Sequence, residues 1–113
     1  MSSGDERYEV GDTLTFGDVR IDLAAHTAQR ADNRVSLTPK AFELLLALAR
    51  RKGNVASRAE LLREVWGYDP LVQSRTVDSH IAQLRRKLDD PAAPRYFLTV
   101  RKAGYLLVRP RLT

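Results

Sequence analysis

The sequence predicts an α+β domain: an antiparallel β-sheet at the N-terminus, three helices after it, and a β-hairpin at the C-terminus. Three observations carry this prediction. Residues 13–37 alternate apolar and polar positions between turn-forming residues. Residues 39–88 contain three stretches with apolar residues at helical spacing, each with a candidate capping residue at its start. Residues 96–108 form two short apolar-rich runs around a basic turn that contains glycine.

The bounds suit one compact domain, because 113 residues and 12.8 kDa can bury a core but not two. Residues 1–12 read as a polar leader and residues 13–110 as the domain. No long apolar run and no cleavable signal pattern occur, so neither membrane insertion nor secretion is expected. Cysteine is absent, which fits a cytoplasmic protein and removes thiolate chemistry and disulfides. The net charge of +5 is uneven: residues 1–33 hold three Arg/Lys against seven Asp/Glu (−4), and residues 34–113 hold sixteen against seven (+9). A basic excess confined to the second two-thirds points to a polyanionic partner for that part.

In the sheet region, Leu14 and Phe16, then Val19, Ile21 and Leu23, lie at period two. Gly17-Asp18, Ala24-Ala25 and Ala31-Asp32-Asn33 interrupt them, so three or four short strands are expected. His26 falls between strands and is given no role. The first helix is expected over about 39–52, with Thr38 as cap, Pro39 at its first position, and Arg50, Arg51 and Lys52 complementing the dipole before Gly53. Phe42, Leu45, Leu46, Leu48 and Ala49 make its buried stripe, which reads as packing and not as a cofactor site.

Ser57 and Glu60 have the spacing of a capping box and open a second helix over 57–66 that Gly67 ends. The third helix, 75–88, has Ser74 or Thr76 as its cap and Asp78 in the first turn. Val77, Ile81, Leu84 and Leu88 give it one narrow buried seam. At 100° per residue the far side collects Arg75, Ser79, Ala82, Gln83 and Arg86, with Arg85 on one flank and Thr76, His80 and Lys87 on the other. The hairpin over 96–108 carries Arg101 and Lys102 at its tip. Sheet, three helices and basic hairpin in that order are the layout of a winged helix-turn-helix domain.

Such a helix fits the major groove of B-DNA, where Arg can take guanine bidentately and Gln can take adenine. Arg58, Thr76, His80, Arg85 and Lys87 could meet phosphates at the groove edges. Arg101 and Lys102 on a thin loop suit the adjacent minor groove.

LTPKAFELLLALAR, SRAELLREVWG, SRTVDSHIAQLRRKLDD and TVRKAGYLL together resemble, in order over residues 14–108, the DNA-binding output domain of OmpR/PhoB-type two-component response regulators. The resemblance implies backbone contacts from Trp66, Arg75, Thr76, His80, Arg85 and Tyr105, base-edge roles around Asp78, Ser79, Gln83 and Arg86, and a wing contact from Arg101. It also implies that the linker of Gly67, Tyr68, Asp69, Pro70, Leu71, Val72 and Gln73 faces RNA polymerase in activators. Two copies on direct repeats, head to tail, are implied as well, together with a receiver domain and a sensor kinase in the full-length protein. This chain departs from the pattern at Lys102, where many relatives carry Gly, and at Gln83, where some carry arginine. No receiver fits before Leu14, so the sequence reads as an output domain that is either excised or free-standing.

The competing readings are weaker. Trp66 suits core packing as well as a phosphate contact. His80 has no second ligand at i+3 or i+4, so neither a metal nor any cofactor is expected. The chain has no His–carboxylate pair at useful spacing, no P-loop and no G-x-G-x-x-G, so no enzyme is expected. A winged-helix protein-interaction module without DNA binding is the alternative. It would more often expose apolar residues on the third helix. Double-stranded RNA is disfavoured, because a helix cannot read the narrow A-form major groove.

Overall fold

The computed structural model describes residues 12–67, 69 and 71–112; the expected leader lies almost wholly outside them. Four consecutive strands, β1 (Thr13–Phe16), β2 (Val19–Asp22), β3 (Thr27–Arg30) and β4 (Asn33–Val35), form an antiparallel meander. The registers, such as Leu14 opposite Ile21 and Ile21 opposite Ala28, put the alternating apolar residues on one face. Leu14, Phe16, Val19, Ile21, Leu23 and Ala28 are all buried there, as period two requires of a sheet with one dry face.

A fifth strand, β7 (Arg111–Leu112), pairs with β1 and gives the order β4-β3-β2-β1-β7. The sequence pattern ends the domain at 110, and the chain in fact continues into the sheet through Leu112. Two residues after a proline are too few to carry a periodicity.

Helix α1 (Pro39–Ala49) opens with Thr38, whose Oγ1 accepts the N–H of Ala41 at 3.2 Å. It stops three residues short of the expected 52. Arg51 and Lys52 donate to Leu48 and Ala49 at i−3, and Lys52 and Gly53 both take positive φ (53° and 91°), which reverses the chain. Arg50 to Lys52 therefore lie beyond the last turn, although Arg51 still donates to the carbonyl of Ala47 at 2.8 Å.

Helix α2 (Arg58–Trp66) has the capping box, with Glu60 N–H donating to Ser57 Oγ at 3.0 Å and Ser57 N–H to Glu60 Oε1 at 2.9 Å. Helix α3 (Arg75–Leu88) has no side-chain cap, so the expectation for Ser74 or Thr76 fails. Ser74 is itself in a helical conformation, and the first donors are met by backbone: Thr76 N–H to Gln73 and Val77 N–H to Ser74 at i−3. Val77, Ile81, Leu84 and Leu88 are 0–1% exposed. Burial of each side chain contributes about 1.5–3 kcal/mol.

The hairpin comprises β5 (Phe97–Val100) and β6 (Gly104–Leu107), with Phe97 opposite Leu107 and Val100 opposite Gly104. Ala56, in the connection from α1 to α2, adds a one-residue bridge by exchanging two hydrogen bonds with Tyr105 at 2.8 and 2.9 Å. The backbone approach there is close. Gly104 has φ 144°, and a Cβ on it would run into the Ala56 carbonyl.

Candidate nucleic-acid interface

Asp78 stands in the first turn of α3, where a carboxylate is favoured by the helix dipole. Arg58, the first residue of α2, grips it with two hydrogen bonds, Nε to Oδ1 at 3.0 Å and Nη2 to Oδ2 at 2.6 Å. The phenol of Tyr105 on β6 donates to Oδ1 at 2.6 Å. One carboxylate thus joins the start of α2, the start of α3 and the hairpin. Burial pushes the Asp78 carboxyl up, but the hydrogen bonds from Tyr105 and Arg58 outweigh it and hold the group below the usual range. Burial, followed by the bond to Asp78, pushes the Tyr105 phenol up to about 12.

The outer face of α3 presents Arg75, Ser79, Ala82 and Arg86 as exposed residues and Gln83 as half-buried. Ser79 Oγ donates back to the Arg75 carbonyl at 3.1 Å. At the wing tip Arg101 and Lys102 are exposed. Lys102 takes φ 64°, so it keeps the left-handed turn that glycine adopts without strain and adds a charge there. A groove of about 340 Å³ runs between α2 and the wing, with Arg58, Lys102 and Tyr105 among its walls.

Several expected contact residues have structural work. Arg85 donates to the Phe97 carbonyl and to Thr99 Oγ1, both at 2.9 Å, and its guanidinium lies 5.8 Å from the Tyr105 ring centre. Lys87 donates to the Ser36 carbonyl at 2.8 Å, which turns it toward the connection between sheet and α1 and away from the flank shared with Thr76 and His80. His80 donates Nδ1–H to the Thr76 carbonyl at 2.8 Å and meets the Trp66 ring edge-on at 4.9 Å, leaving Nε2 as its free nitrogen. Trp66 is half-buried against the core.

Asp89 and His26 carry contacts that sequence reasoning passed over. Asp89 is 1% exposed, and its carboxylate accepts the backbone N–H groups of Asp90, Arg95, Tyr96 and Phe97 at 2.7–3.2 Å. Its burial raises the carboxyl pKa, but those N–H donors more than offset it and the group sits below the ordinary value. In the sequence Asp89 reads only as part of a helix-ending Asp-Asp-Pro. His26 stacks on Phe42 at 4.8 Å, a contact across the sheet–helix boundary that no local pattern signals.

In the connection from α2 to α3, Gly67 ends α2 with φ 73°, and Asp69 Oδ1 accepts the Leu71 N–H at 2.9 Å. Leu71 is 87% exposed. Tyr68 and Pro70 lie outside the described residues. No group of His, Cys, Asp and Glu able to hold a metal ion occurs among the described residues, and no helix among them is long and apolar enough to cross a membrane.

Residues 32–107 match the family profile described as "Transcriptional regulatory protein, C terminal". The chain belongs to this family. It is 45% identical over 98 residues to the DNA-binding response regulator MtrA of Mycolicibacterium smegmatis, covering 86% of this chain and 43% of that protein. It is 42% identical over 104 residues to the transcriptional regulatory protein AfsQ1 of Streptomyces coelicolor, covering 91% of this chain and 46% of that protein. The chain therefore spans less than half the length of these curated relatives. Among solved structures it resembles the Klebsiella pneumoniae RstA DNA-binding domain in complex with the RstA box, at TM-score 0.73 and 34% identity over 85% of this chain and 96% of that one. It also resembles DrrB, a Thermotoga maritima OmpR/PhoB homologue, at TM-score 0.78 and 39% identity over 85% of this chain and 44% of that one. The three helices, N-terminal sheet and C-terminal hairpin are those of an OmpR/PhoB-type winged-helix domain.

Proposed function

We propose that this chain is the output module of a response regulator, binding duplex DNA sequence-specifically to regulate transcription. One observation carries the proposal: the Asp78 junction draws the start of α2, α3 and the wing into one surface. Arg75, Arg86, Arg101 and Lys102 are exposed on that surface. Helix α3 enters the major groove, with Ser79, Gln83 and Arg86 at base edges. Phosphates are met by Arg75, Thr76, His80 and Trp66 and by the free donors of Arg58, and Arg101 and Lys102 reach the neighbouring minor groove.

The apolar surface argues against a protein-only role for α3, since among the described residues the exposed large apolar ones are Val55, Leu71, Val108 and Leu112, none on that helix. Leu71 instead suits a protein contact at the α2–α3 connection, where the polymerase would meet an activator. Two copies bind direct repeats head to tail, and in the whole protein a receiver domain under a sensor kinase controls the pairing.

Selection of bound duplexes from a random pool at near-physiological salt tests this reading. The expected result is a short motif, repeated in one orientation about one helical turn apart. Gln83→Ala should change the preferred base at one position. Retention that falls with salt without any enriched motif would reduce the function to electrostatic binding, and no retention at low salt would remove DNA from the reading.

A further inference from the structure

We infer that Asp78 is a positioning residue that couples the wing to α3, so that their contacts with DNA are gained and lost together. The inference rests on the DNA-binding reading and reassigns a residue for which the resemblance implies a base-edge role. Both carboxylate oxygens are occupied: Oδ1 accepts from Arg58 Nε and Tyr105 Oη, and Oδ2 accepts from Arg58 Nη2. Three of the roughly four acceptor positions of the carboxylate are taken by bonds of 2.6–3.0 Å to a cation and a phenol, so a base amino group would find only the second lone pair of Oδ2, on a group already held in place by α2 and the wing. The same pairing removes a penalty, because a free carboxylate on this surface would repel the phosphates that the neighbouring arginines attract.

The position of Asp78 along α3 sets what it controls. Helix α3 is tied to the wing at three levels: Asp78 to Tyr105, Arg85 to Phe97 and Thr99, and Asp89 to the N–H groups of residues 95–97. From the first to the last is a run of about 16 Å at 1.5 Å per residue. The Arg85 and Asp89 ties hold β5 and its approach. Among the described residues, Asp78 makes the side-chain hydrogen bond from α3 to β6, at Tyr105, next to the Gly104 that starts the strand and three residues from Lys102; the Arg85 guanidinium, 5.8 Å from the same ring, makes a weaker contact there. The angle of the tip is therefore fixed through the same carboxylate that sits in the first turn of the reading helix. A displaced α3 turn moves the wing, and a wing pulled from the minor groove tilts α3.

The test is a double-mutant cycle on the full chain, with affinity for the selected duplex read by fluorescence anisotropy. Arg101→Ala is expected to weaken binding about tenfold in the wild-type background. In Asp78→Asn it should cost less than about threefold, because a wing freed from α3 at Tyr105 no longer holds its tip in place for that contact. Tyr105→Phe cuts the wing tie and leaves the Arg58–Asp78 pair in place, so it should reproduce the reduced cost and carries the test if Asp78→Asn fails to fold. Absorbance titration of the folded variant adds a second readout: in Asp78→Asn the Tyr105 midpoint should fall below about 12, while burial, the larger cause of its shift, keeps it above the ordinary tyrosine value. Equal Arg101→Ala factors in folded wild-type and variant backgrounds would overturn the coupling alone. Absence of wild-type binding to any duplex would overturn the DNA reading and the coupling with it.

Discussion

The domain has two antiparallel β-elements, and they are held by different forces. The N-terminal sheet is fastened mainly by apolar burial: Phe16, Val19, Ile21 and Ala28 alternate into the core, and Arg30 on β3 adds one polar tie, donating to the Lys87 and Asp89 carbonyls at 3.4 and 3.2 Å. The wing buries Phe97 and Leu107. Its attachment to α3 is polar, made by Asp78, Arg85 and Asp89. Apolar burial tolerates small shifts because it is non-directional. Charge-assisted hydrogen bonds fix distance and angle, which suits the proposed entry of the wing into a groove beside α3. The difference teaches that the sheet half is built for adhesion and the half with the proposed DNA surface for position.

The largest effect expected from this contrast falls on Asp89. Asp89→Asn replaces a carboxylate that accepts four backbone N–H groups with a side chain that brings its own N–H donors, and should cost about 3 kcal/mol. For a domain of this size that is a fall of about 12 °C in Tm by circular dichroism. Asp22 in the N-terminal sheet accepts one N–H, from Ala25 at 3.0 Å in an exposed turn. Asp22→Asn should cost less than about 1 kcal/mol. Equal losses would break the comparison. The folded pKa of Asp89 is lowered, so its stabilisation is present above the unfolded carboxylate value and is lost as pH falls through the folded one. The acid limb of the wild-type stability curve should accordingly be steeper than that of Asp89→Asn.

Two glycines sharpen the same contrast at the next level. Gly104→Ala places a Cβ against the Ala56 carbonyl, a backbone atom already bonded to Tyr105, and should cost about 2–3 kcal/mol in urea denaturation. Gly17, in the turn between β1 and β2, also has positive φ (56°), but the atoms a Cβ would meet are the outer end of the Tyr96 ring. That ring can move, leaving mainly the left-handed penalty, so Gly17→Ala should cost about 1 kcal/mol.

The two halves also differ in how far the sequence discloses them. Period two in Leu14, Phe16, Val19 and Ile21 disclosed the N-terminal sheet, and the 4-3-4 spacing of Val77, Ile81, Leu84 and Leu88 disclosed the inner face of α3, because burial leaves a periodic trace. The exposed positions of α3 and the wing tip followed from the same geometry. The Asp78–Arg58–Tyr105 junction did not, since its members are 20 and 27 residues apart and each also suits a surface role. That Arg85 and Lys87 also bond back to the protein left no trace in the sequence, because a charge on a helix flank has no periodicity to signal it. Strand β7 was too short to register, and the missing cap of α3 was replaced by backbone bonds that side-chain identity does not encode.

A pH effect separates the wing junction from the sheet at lower energy. The Tyr105 phenol is raised to about 12 in the folded chain, so its contribution is complete below the unfolded value near 10 and is lost as pH rises through 12. Absorbance near 295 nm should show one tyrosine titrating late in the wild type, and Tyr105→Phe should delete that component. A late component surviving in Tyr105→Phe would place the perturbed phenol elsewhere and weaken the case for a special wing junction.

The smallest effect expected on stability is at Lys102, which takes a left-handed φ of 64° in the wing turn. A left-handed lysine costs about 1–2 kcal/mol relative to its preferred conformations, and glycine gives back part of that through the greater freedom of its unfolded chain. Lys102→Gly should therefore stabilise the fold by no more than about 1 kcal/mol. If the lysine neutralises one phosphate, the same change should weaken DNA binding and reduce the salt slope by about 0.9. Stability and binding then move in opposite directions at one residue, as expected where backbone strain is retained for a contact the fold does not need. A Lys102→Gly variant that gains stability and binds DNA with an unchanged salt slope would leave the strain without a function, and the polar positioning of the wing would have to be justified by Arg101 alone.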